Sequence, residues 1–117
     1  MPEAIFVPQK EHPHLSNTID GLYIETIVYA AALKRWLCWP VGNIREPFLS
    51  FYENFNALFL MTARHKEMGP HKELADKINK WSYPSNHITP EKCLVGIELF
   101  DEWQANLFKA GLLSVRE

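Results

Sequence analysis

Few side chains in this sequence stand in patterns that chemistry requires. Five histidines are present, His12, His14, His65, His71 and His87, with two cysteines, Cys38 and Cys93. A structural zinc site needs Cys or His ligands in closely spaced pairs, and the two cysteines stand alone. His12-Pro13-His14 lies near the N-terminus, and two His-Lys-Glu triplets start at His65 and His71. Di-iron bundles need two Glu-x-x-His pairs projecting inward from two helices, and this chain does not supply two. The expectation is therefore no metal and no cofactor. Gly-rich phosphate loops, a Gly-x-Ser-x-Gly elbow and Cys-x-x-Cys are also missing. Among the acids, Glu25 is singular, because it interrupts an apolar helical pattern. A buried carboxylate must be paired, hydrogen-bonded or neutral. Two readings follow for it: a ligand-pocket acid, or a structural partner of Lys34 or Arg35 in a neighbouring copy, or of Arg45 or Arg64 within the bundle.

Arg64-His65-Lys66-Glu67-Met68-Gly69-Pro70-His71 separates an arginine and a histidine by six residues. The pattern resembles the Arg…His signature of HEPN ribonucleases, which are small helical bundles. The resemblance implies His71 as general acid or base at a ribose 2′-hydroxyl and Arg64 as a phosphate clamp, with no metal required. It covers eight residues and straddles the helix-breaking Gly69-Pro70, where that family keeps continuous helix. The bland reading has His71 capping the apolar face that continues through Leu74 and Ile78. Glu98-Leu99-Phe100-Asp101 resembles half of the acidic motif of MazG-type nucleotide pyrophosphatases. The Glu-x-x-Glu that would complete their Mg²⁺ site is missing, and that reading is discarded.

The elements that must position these residues are helical. The 117 residues fit one domain, and 47 % hydrophobic with 13 % aromatic residues can fill a core without disulfides. A net charge of −2 argues against nucleic acid as the main partner. The low cysteine count points to a reducing cytoplasm. The N-terminus lacks the apolar run of a signal peptide, and Thr26–Leu33 is too short to span a bilayer. No membrane partner is expected.

Pro2, Pro8 and Pro13 predict an extended arm over residues 1–15, in which Ala4–Val7 lies on the body or pairs with a partner as a short strand. Residues 16–117 form the single bundle domain. A first helix is expected over about Thr18–Cys38, capped by Ser16, Asn17 or Thr18, and apolar nearly all round. Such a helix is either central to the bundle or meets another chain on its outer face. After the Trp39–Asn43 break, a second helix runs from about Glu46 to Lys66, with Phe48, Phe51, Tyr52, Phe55, Phe59 and Thr62 on one side. A third covers Pro70–Trp81, and a loop covers Ser82–Ile88. Thr89-Pro90-Glu91 opens a fourth, which runs to about Leu112 and buries Gly96, Leu99, Phe100, Trp103, Leu107 and Ala110. No segment alternates with period two between hairpin turns.

The fold expected is all-α, an antiparallel bundle of about four helices preceded by a Pro-rich arm. The function expected is protein interaction, as an adaptor, an inhibitor or immunity-type partner, or a regulatory subunit, with a homodimer through helix one. Tyr29, Trp36, Trp39 and Trp81 are the aromatic candidates for contact, although aromatics at helix ends also serve as packing lids. The alternatives are the ribonuclease built on Arg64 and His71, and a small-ligand binder around Glu25.

Overall fold

The computed structural model describes residues 3–6, 13–82 and 88–116. Within them the chain runs β1 (Glu3–Phe6), α1 (Pro13–Cys38), α2 (Arg45–Thr62), a 3₁₀ turn (Lys66–His71), α3 (Lys72–Trp81), α4 (Pro90–Lys109) and β2 (Leu113–Arg116). The architecture is all-α: α1 pairs with α2, α3 pairs with α4, and α4 touches both α1 and α2. Residues 7–12 of the expected arm, with Pro8 and His12, lie outside the described residues. So do residues 83–87 of the expected loop, with Tyr83, Pro84 and His87.

Helix α3 starts at Lys72, two residues after the expected Pro70, and three other boundaries differ from those expected, each for a local reason. Helix α1 starts at Pro13 and not near Thr18. Proline forbids a helix from running through it but suits the first helical position, where no backbone donor is needed. Helix α2 ends at Thr62, because the chain tightens there into a 3₁₀ turn that buries Met68. Helix α4 ends at Lys109 because Gly111 adopts φ +79°. The Leu112 amide then reaches the Leu107 carbonyl at 2.9 Å and the Gly111 amide that of Phe108 at 3.1 Å, the bonds of a Schellman cap. The start of α4 is as expected: Thr89 Oγ1 accepts from the Lys92 amide at 3.1 Å, with Pro90 behind it.

A further departure is a two-stranded antiparallel ribbon, in which Glu3 pairs with Arg116 and Phe6 with Leu113. Four residues per strand are too few for a period-two pattern to show. The pairing also joins distant parts of the chain, so no hairpin turn announces it.

The core is an aromatic seam. Phe48, Phe51, Phe55, Leu58, Phe59 and Thr62 of α2 are buried, and Tyr52 is half-buried. The Trp81 ring reaches into this row, with its centroid 5.6 Å from Tyr52, 5.8 Å from Phe55 and 6.1 Å from Phe48. Gly96 of α4 makes the room: a Cβ there would lie 2.3 Å from Cζ2 of Trp81. Deeper in, Phe59 meets Trp103 edge-on at 4.9 Å. The Trp103 indole donates to Thr62 Oγ1 at 2.8 Å, and that hydroxyl donates onward to the Leu58 carbonyl at 2.8 Å. Both buried polar groups are thereby satisfied.

Candidate protein-interaction surface

Helix α1 is apolar nearly all round, but it is buried along one stripe only. Ile19, Tyr23, Thr26, Ala30 and Leu33 face the core. This spacing of three and four residues marks one helical face. On the opposite side Ile24 is 51 % exposed, Ile27 40 % and Val28 57 %, and Ala31 is exposed beside them. Near the C-terminal end of the helix the exposed surface becomes cationic, with Arg35 in line with Ile24 and Val28 and Lys34 on the flank beside Ile27. Helix α1 is therefore an outer helix with a bare apolar strip.

Glu25 lies beside this strip and is exposed. The expectation of a buried acid is thus corrected. The inward stripe runs through Tyr23 and Thr26, and Glu25 falls on the other side of the helix. The inward stripe itself carries a perturbed group. Burial pushes the Tyr23 hydroxyl up to about 12, helped by the negative charge of Asp20.

The remaining aromatic candidates are distributed unequally. Tyr29 is half-buried. Trp36 is half-buried and its indole donates to the Gly42 carbonyl at 3.2 Å; Gly42 itself has φ +85°, which the sharp α1–α2 turn requires. Trp39 is 75 % exposed and Val41 69 %, so this turn projects apolar groups into solvent. Trp81 is committed to the core seam, and its indole donates to the Lys92 carbonyl at 3.0 Å.

Arg64 precedes the 3₁₀ turn and His71 is its last residue. His71 is half-buried and lines an open groove of about 400 Å³ between α3 and α4, with Glu73, Lys77, Glu102, Asn106 and Lys109. Arg64 is exposed and does not line this groove. Two acids and two lysines stand there, so the lining carries no excess of acidic over basic side chains.

Among the described residues no group of three or more His, Cys, Asp or Glu side chains stands close enough to hold a metal ion. Both cysteines are free thiols, Cys38 exposed and Cys93 buried, and burial pushes the Cys93 thiol up to about 11. No helix among the described residues is long and apolar enough to cross a membrane.

The apolar strip had a sequence signal that a simple apolar count passes over. Gly21, Ile24, Val28, Ala31, Arg35 and Cys38 are spaced by alternating threes and fours, the seam of a helix that pairs with another helix. No protein-family model matches the chain. No curated protein matches it, and no solved structure does.

Proposed function

We propose that this protein is a small helical interaction module whose binding surface is the outer face of α1. The observation that carries this reading is the exposure of Ile24, Ile27 and Val28 in adjacent turns. Apolar residues scattered singly on a surface need no explanation, whereas a contiguous strip on one helix is a place for another protein. Helix α4 provides the contrast. Its exposed Leu94 and Val95 are sequence neighbours flanked by the exposed acids Glu91 and Glu98, which form no strip.

The ribonuclease reading is the weaker one, because Arg64 takes no part in the groove that His71 lines. Its test is cleavage of RNA in metal-free buffer, where activity that survives His71→Ala removes it.

Site-specific photocrosslinking tests the interaction reading. A benzophenone amino acid in place of Val28, in cells that produce the protein, is expected to give a covalent protein adduct. The same probe in place of Lys77, in the α3–α4 groove, is expected to give none. No adduct from position 28 overturns the proposal, and an adduct from position 77 alone moves the binding surface to the groove.

A further inference from the structure

We infer that the turn between α1 and α2 docks the protein on an anionic lipid surface. Trp39 and Val41 enter the headgroup layer, and the cations gathered at this end of the molecule face the anionic headgroups. The site is separate from the outer strip of α1 and does not rest on the reading of that strip. Residues 38–43 are all exposed, so the turn stands out from the end of the α1–α2 hairpin. At its tip Trp39, Pro40 and Val41 offer three apolar side chains in a row to solvent. The turn is fastened from within. The Trp36 indole donates to the Gly42 carbonyl at 3.2 Å, and Asn43 Oδ1 accepts from the Arg45 amide at 2.8 Å. An apolar tip already in place has little ordering left to lose when it is buried.

The charge around the tip suits such a surface, because four helix ends meet there. The turn joins the end of α1 to the start of α2. The ring of Trp81, the last residue of α3, lies 6.1 Å from that of Phe48 in the first turn of α2. The Trp81 indole in turn bonds to Lys92, in the first turn of α4. These ends carry exposed Lys34, Arg35, Arg45 and Lys80, and half-buried Lys92, whose ammonium stands 5.9 Å from the centre of the Phe48 ring. The acids among the described residues of these ends are Glu46 and Glu91. Five cations against two acids reverse the sign of a chain whose net charge is −2. A basic residue near an anionic membrane strengthens binding about fivefold. Tryptophan suits headgroup depth, because its ring is apolar and its N–H is polar. The expectation of no membrane partner came from the want of a spanning segment, which docking on a surface does not need.

Other anionic partners fit the tip less well. A single-stranded nucleic acid would use the cations and the indole, but it asks for a groove that follows its backbone. It would also leave the aliphatic Val41 without a role. An acidic protein would have to supply a pocket shaped to a projecting tip, whereas a fluid lipid surface closes round one.

Co-sedimentation of the full chain with vesicles tests this. Vesicles of equal parts phosphatidylcholine and phosphatidylserine are expected to bind the protein at low salt. Vesicles of phosphatidylcholine alone are expected to bind it about tenfold more weakly or less. Trp39→Ser should weaken binding to the anionic vesicles about tenfold, and Arg35→Ala and Arg45→Ala about fivefold each. Lys66→Ala, beyond the other end of α2, should leave it unchanged. Neither Trp39 nor Val41 belongs to the core, so Trp39→Ser and Val41→Ser should unfold in urea as the unsubstituted protein does. Should Trp39→Ser fail to fold, Val41→Ser carries the same test. No binding to the anionic vesicles, equal binding to both kinds, or binding that the folded tip variant leaves intact overturns the inference. So does a loss from Lys66→Ala as large as that from Arg35→Ala. Binding to single-stranded polyuridylate that depends on Trp39, with none to vesicles, overturns it as well and moves the tip to nucleic acid.

Discussion

The seam between α2, α3 and α4 and the outer face of α1 are both rich in large apolar side chains, yet they are built on different rules. In the seam, the shape of each side chain is tied to its neighbours. Trp81 has its place because Gly96 has no side chain, and Trp103 has its place because the Thr62 hydroxyl accepts from it. On α1 the apolar residues Ile24, Ile27 and Val28 are 40–57 % exposed. Hydrophobicity therefore separates inside from outside poorly in this protein. Interlocking separates them well, because a close-packed interior registers even one added methylene.

The sharpest way to break this contrast is to empty the seam. Trp103→Ala removes a fully buried indole and strips Thr62 of its donor. It is expected to cost about 3–5 kcal/mol in urea unfolding followed by circular dichroism. Gly96→Val is next, because its branched side chain must displace the Trp81 ring. Overpacking of this kind costs about 1–3 kcal/mol, and the Trp81 fluorescence should shift with it. Tyr52→Phe deletes only the hydroxyl that donates to the Ser82 carbonyl at 2.7 Å and is expected to cost about 1 kcal/mol. At the other end of the scale, Val28→Ser on the outer face should leave unfolding unchanged within about 0.5 kcal/mol while abolishing association.

Alkaline pH probes the same contrast without mutation. Tyr23 is held at about 12 and Cys93 at about 11, both raised by burial. The unfolded chain loses these protons near the ordinary values of 10 and 9, before the folded chain does. Between those limits the folded state binds more protons, so stability must fall as pH rises. The decline should start near pH 9, and Cys93→Ala should remove its lower part. Exposed Cys38 should react with a thiol reagent at once, and Cys93 only as the protein opens.

The helices were legible in the sequence wherever one residue type settles a local question. Thr89-Pro90 set the start of α4, and the aromatic repeat from Phe48 to Phe59 showed which face of α2 is buried. Legibility failed where the answer depends on distant partners. Helix α1 is apolar on two faces, and only the packing of Tyr23 against Phe100, 6.4 Å between ring centroids, decides which face turns inward. The side of the helix that holds Glu25 followed from that choice. The packing of Trp81 into the seam was hidden for a related reason. A tryptophan at a helix end looks the same whether it faces solvent or a glycine on a helix that comes later in the chain.

The ribbon of β1 and β2 has a consequence for how the protein is made. Glu3–Phe6 is made before the four helices and its pairing partner, Leu113–Arg116, after them. Until then β1 is an open strand edge, the kind of segment that captures other chains. The helices nucleate from local contacts and can form while synthesis continues. Closing the ribbon therefore waits on a segment made after all four helices, and the first strand stays without its neighbour until then.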